Sequence, residues 1–195
     1  MEATTVTIHH PSARAALQRA TEETHRALDE GLAADGLGRM DPYLRFLAMQ
    51  AQVLPPLERA LEAGGLERAL PGWIATRRAG ALAEDLRALG LGPLPEIDVP
   101  VPEGPAIWGM AYVLEGSRLG ARVLERQADA SDDPLIRDNH RFLSQRTSLA
   151  WPVFLQALEG ALSGAAERRA AADAAVRTFA LYHRAANAAP VLLGH

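Results

Sequence analysis

Cysteine is absent from the 195 residues, which excludes disulfides, thiolate nucleophiles, zinc knuckles and iron–sulfur clusters. Any metal must therefore be held by histidine, carboxylate or carbonyl groups. Lysine is absent too, so all 20 basic residues are arginine and an anionic ligand meets guanidinium forks rather than point charges. No stretch approaches the roughly 18 apolar residues that span a bilayer, and Met1–Pro11 carries no apolar run of the signal-peptide kind. The expectation is a cytoplasmic protein without a membrane segment. A net charge of −4 and a pI of about 5.9 lack the basic field of a nucleic-acid binder. What remains is a chain with 48% apolar and 23% charged residues, enough for one domain with a sizeable core.

Alternating β-branched runs are nearly missing, whereas apolar spacings of three and four recur through alanine-, leucine- and arginine-rich segments, so the fold class is all-α. The pattern predicts an arm over 1–11, a helical domain over 12–189 and a tail over 190–195. The first helix runs from Ser12, its N-cap, to Gly31, with Leu17, Thr21, Thr24 and Leu28 inward. The second starts at Asp41-Pro42 and is interrupted at Pro55-Pro56. Shorter helices follow over 66–70 and 73–89. The proline-rich stretch 90–105 reads as an extended connection. Helices over 106–128, 134–160 and 164–189 complete the set.

Two constellations carry candidate chemistry. His25 lies on the shoulder of the first helix's apolar stripe, about 60° from its centre at 100° per residue. A ring nitrogen there can enter an apolar cleft, and Asp29, four residues on, can accept from the other nitrogen and fix the tautomer. Alone, such a pair is as well explained as a surface contact between helix neighbours. The segment 108–124 is more informative, since Gly109, Gly116 and Gly120 interrupt a strong helix pattern at about 1 kcal/mol each relative to alanine. Gly116 and Gly120 stack on one face with Tyr112 one turn before, leaving a bare strip of backbone. Another helix packed closely against the strip explains it, and so does a flat ligand lying on it with room for ordered water.

Together, Ala20-Thr-Glu-Glu-Thr-His25 and Tyr112-Val-Leu-Glu-Gly-Ser-Arg-Leu-Gly120 resemble the proximal and distal helix motifs of the bacterial branch of the haem oxygenase family. The resemblance covers about residues 12–188 and implies a single-domain helical fold with haem sandwiched between a proximal and a distal helix. It implies His25 as the iron ligand, Gly116, Ser117 and Gly120 as the distal catalytic side, and Thr21, Asp29 and Tyr112 as haem-contacting residues. The implied reaction uses haem b as both substrate and cofactor, with O₂ as co-substrate, and yields biliverdin, CO and iron. Such chemistry needs a distal side without an acid–base side chain, which the glycines satisfy. Electrons must come from an external donor such as ferredoxin or a reductase, because no nucleotide-binding glycine loop is present.

The sequence departs from the family in three places. Ser117 stands where mammalian members carry an aspartate that orders distal water. Ala121 replaces the second glycine of a common Gly-Gly pair. Gln18 stands where some members place a basic residue for a propionate. Arg14, Arg19, Arg177 and Arg184 are the remaining candidates for that contact. Phe142 and Phe179 are candidates to touch the macrocycle. The other histidines, His9, His10, His140, His183 and His195, form no metal-ligand spacing, with His140 and His183 expected inside helices. A monomer is expected. Two alternatives stay open: a haem sensor or carrier with this fold, and a helical relative of the thiaminase-like kind that binds no haem, although the cysteine some of those use is missing.

Overall fold

The computed structural model describes residues 11–33 and 36–193. His9, His10, His195 and nearly all of the expected arm therefore lie outside the described residues. The elements are α1 (Ala13–Ala33), α2 (Met40–Ala63), α3 (Leu66–Ala69), a 3₁₀ turn (Ile74–Thr76), α4 (Ala79–Ala88), α5 (Pro105–Asp129), α6 (Pro134–Asp138), α7 (Arg141–Ser144), α8 (Trp151–Ala161) and α9 (Ala165–Leu192). No strand occurs among the described residues, as the spacing pattern predicts. None of the helices is long and apolar enough to cross a membrane, again among the described residues.

Helix α9 is the central post, with α1, α2 and α5 all packed along it. Its inner face is built from small residues, among them Ala171, Ala174, Ala175, Ala185 and Ala189, all buried. Small side chains let neighbouring backbones approach, and the larger core residues Tyr43, Leu47, Leu54, Trp73 and Phe142 fill the space between layers. α1 opens as expected: the Ser12 hydroxyl accepts the Ala15 N–H at 3.1 Å, and Leu17 and Thr21 are buried.

Local differences from the sequence reading have physical causes. α2 continues through Pro55 and Pro56 rather than breaking there. Pro56 cannot donate to the Gln52 carbonyl, and Ile97 from the proline-rich connection donates to it instead at 2.9 Å. The connection itself carries no helix or strand, with Leu91, Leu94 and Ile97 packed against the core. The predicted 73–89 helix is split, because the buried Glu58 carboxylate accepts the N–H groups of Arg78 at 2.6 Å and Ala79 at 3.2 Å and starts α4 afresh. The predicted 134–160 helix is three helices. Asp85, fully buried, accepts from the backbone of Arg141 and Phe142 at the start of α7. His140 consequently precedes α7 rather than lying inside a helix. α9 runs through Pro190 to Leu192, past the expected end at Ala189.

Glu58→Ala leaves two N–H groups without their acceptor in a buried setting. Urea unfolding should show a loss of about 1–3 kcal/mol, and an unchanged midpoint would mean that α4 does not depend on this cap.

Candidate functional site

The site is built from two helices, α1 and α5, that both pack on α9. On α1, Arg14 and His25 are 11 residues apart, which at 100° per residue puts them within about 20° of one line. On α5, Tyr112, Gly116, Gly120 and Val123 fall within about 80° of arc by the same geometry. The two lines meet at one end, where Arg14 lies close enough for its charge to act on the Tyr112 hydroxyl. Burial pushes that phenol up from its ordinary pKa, and the Arg14 guanidinium opposes the shift. α1 and α5 each pack against α9 far more than against each other. The space between the His25 face of α1 and the Gly116–Gly120 face of α5 is the candidate slot.

His25 stands on the α1 wall. Its Nδ1 is 2.9 Å from an Asp29 carboxylate oxygen, and its side chain is 57% exposed. An ionised carboxylate can only accept, so Nδ1 carries the proton, and the tautomer this selects has its lone pair at Nε2. Phe179 of α9 is buried and meets the imidazole in a T-shaped contact with centroids 5.5 Å apart. From one turn further along α9, the His183 Nε2 donates to the Thr24 carbonyl at 3.0 Å. The ring is thus held by its own helix and braced from α9.

The three glycines of α5 behave differently. A Cβ at Gly109 would lie 1.9 Å from the Ala171 carbonyl oxygen, so this glycine is where α5 crosses α9 backbone to backbone. At Gly116 the nearest atom would be 3.8 Å away on the Trp151 ring, and at Gly120 nothing lies within 4 Å. Close helix packing therefore accounts for Gly109 but not for Gly116 or Gly120. Val123, on the same side of α5, is 49% exposed, which makes this wall both bare and apolar.

Other expected site residues do not converge on the slot. Thr21 is buried, and its hydroxyl donates to the Leu17 carbonyl at 2.9 Å. The Ser117 hydroxyl donates to the Leu114 carbonyl and accepts from the Arg78 guanidinium, both at 2.7 Å. It sits about 100° around α5 from Gly116. Arg177 and Arg184 are exposed and lie about 140–160° around α9 from Phe179, and Arg19 is exposed about 120° around α1 from His25. Of the four arginines only Arg14 stands at the slot. Phe142 is buried against Arg78, away from His25.

Sequence reasoning missed the polar layer on the flank of α5. Glu115, buried, accepts from the Trp73 indole at 3.0 Å and from Arg118 at 2.7 Å, and Arg78 is buried with its guanidinium over the Phe142 ring. A buried arginine looks like any other in a chain with 20 of them. The contrast among the glycines is open to test in the unliganded protein. Gly109→Ala should be strongly destabilising, whereas Gly120→Ala should raise stability by up to about 1 kcal/mol from helix propensity. Comparable losses in denaturant titrations of both variants would mean that the strip is packed after all.

Comparison with known proteins identifies the family. No protein-family model matches the chain. It is 35% identical to a heme oxygenase of Xanthomonas campestris pv. campestris over 144 residues, covering 73% of this chain and 87% of the relative. It is 30% identical to the heme oxygenase PigA of Pseudomonas aeruginosa over 169 residues, covering 82% and 83%. In fold it resembles the heme oxygenase of Neisseria meningitidis solved with NO and CO bound, with a TM-score of 0.74 over 94% of each chain at 21% identity. The chain belongs to the haem oxygenase family.

Proposed function

We propose that the slot between α1 and α5 takes haem b, with His25 as the axial ligand on one side and the Gly116–Gly120 backbone on the other. The observation that carries this reading is the open space at Gly116 and Gly120 on the face of α5 that also carries Tyr112, on which the charge of Arg14 from the His25 row acts. Bound haem supplies the iron at which O₂ is reduced and is itself the macrocycle cleaved to biliverdin, CO and iron, with electrons from an external donor such as ferredoxin or a reductase. The chain's own residues bind and steer.

Asp29 holds the Nδ1 proton of His25 and so leaves Nε2 free to ligate, with the ring orientation fixed. Phe179 limits rotation of that ring. On the opposite wall the glycines bring backbone close without offering a proton donor or acceptor side chain, so nothing there promotes heterolytic oxygen cleavage in the manner of peroxidases. The residue next to the strip with a hydroxyl, Ser117, already donates its proton to Leu114. At the end of the slot, Arg14 and Tyr112 present a guanidinium and a phenol suited to a propionate carboxylate.

The test is spectroscopic. Hemin added to the protein should give a Soret band, and ascorbate or a ferredoxin system should then bleach it as biliverdin absorbance grows. A Soret band that survives reduction in air would mark a haem carrier instead. His25→Ala should abolish the imidazole-ligated spectrum, and an unchanged spectrum would rule out His25 as ligand. Arg14→Gln should weaken hemin binding by about tenfold, the equivalent of about 1.4 kcal/mol, while equal affinity would place the propionates elsewhere.

A further inference from the structure

A second cavity, of about 380 Å³, lies on the flank of α5 against α7 and the segment leading into α8. Its α5 lining runs from Leu119, about 60° around the helix from Gly116, to Arg118 at about 160°, and it adjoins the glycine strip at Trp151, whose ring is the nearest neighbour of Gly116. Four arginines line it, Arg78, Arg118, Arg122 and Arg146, with Glu115 the one acid among its lining residues. Glu115 is already engaged by Trp73 and Arg118, and Arg146 is neutralised by a two-point pair with Glu125 at 2.9 Å. Arg118 is paired in the same way with Glu115 at 2.7 Å, so Arg78 and Arg122 are the cations that give the cavity wall its net positive charge.

Two of these guanidiniums have donors left over. Arg78 is 3% exposed, and although its Nη2 donates to Ser117 and Leu114, its buried Nε has no hydrogen-bond partner among the described residues. Arg118, whose side chain is 11% exposed, likewise has a buried Nη1 without a partner. Burial, with Arg118 close by, draws the Arg78 guanidinium down to about 10. Unmade charged hydrogen bonds of this kind are costly, and an anion in the cavity that drew both guanidiniums toward it would satisfy them. The remaining lining is apolar and accessible: Leu119 is 48% exposed, and Leu149 and Trp151 are half-buried.

We propose that this cavity is a binding site for an organic carboxylate, its head on Arg78, Arg118 and Arg122 and its apolar body against Leu119, Leu149 and Trp151. The guanidinium fork matches a carboxylate in two-point geometry, and the combination of a few convergent polar groups with an apolar wall is the usual make-up of a small-molecule site. The site does not depend on haem, so it stands or falls separately from the reading of the slot. It does touch that slot indirectly, because Arg78 donates to Ser117 on the helix that carries the glycine strip.

Calorimetric titration of the full chain, both haem-free and hemin-loaded, tests the proposal with benzoate, acetate and inorganic phosphate at ionic strength fixed with sodium chloride. Benzoate should bind saturably at one site in both forms, at least tenfold more tightly than acetate or phosphate. Arg122→Gln, at an exposed position with no ion-pair partner among the described residues, should keep its fold and weaken benzoate at least tenfold. Arg118→Gln should do the same if it folds. The proposal is overturned by benzoate heats no greater than those of added chloride, by phosphate binding as tightly as benzoate, or by undiminished binding in Arg122→Gln. Loss of benzoate binding on loading with hemin would also overturn it, since the ligand would then be occupying the slot.

Discussion

The close crossing of α5 over α9 at Gly109 is the constraint on which the site depends. With no side chain at Gly109, the α5 backbone reaches the Ala171 carbonyl, and the alanines around it keep the interface thin. α9 also carries α1 and α2, so fixing α5 on this post fixes its distance from α1. Seven residues after the crossing, almost two full turns, the same face of α5 turns from backbone contact to open space. The bare strip at Gly116 and Gly120 follows from that single approach, and these residues need do little structural work.

That division explains the distribution of polar groups. The carboxylates that organise the chain, Glu58 and Asp85, are buried away from the slot and accept backbone N–H groups at the starts of α4 and α7. Burial pushes both carboxyls above their ordinary range, and the N–H donors oppose the shift. The slot keeps only a histidine, its aspartate partner, an arginine and a tyrosine. The proposed haem, with one iron and two carboxylates, would ask for little more, and an α5 wall without acid–base side chains would steer its chemistry by offering no alternative.

Much of this was legible in the residues. The all-helical class came from apolar spacing, and Gly116 and Gly120 were conspicuous because glycine is costly inside a helix. His25 was ordinary by position and gained meaning only beside the distal motif. What could not be read was tertiary. The sequence at Pro55-Pro56 signals a break, yet Ile97, about 40 residues on, supplies the missing donor to Gln52. The sequence over 134–160 is apolar enough for one helix, yet Asp85 captures its backbone midway. Gly109 looked like the other two glycines until α9 was seen against it. Arg177 and Arg184 share a helix with Phe179, but the helical repeat turns them to the other side. Carboxylates and arginines that act on distant backbone leave no periodic trace.

The most direct test of the account is a crystal structure of the protein with hemin bound. The account predicts His25 Nε2 on the iron, Asp29 still holding Nδ1, and the macrocycle lying against the backbone from Gly116 to Gly120 with its propionates toward Arg14 and Tyr112. Iron ligated by His183 or His140, or a macrocycle seated away from the α5 glycines, would contradict it.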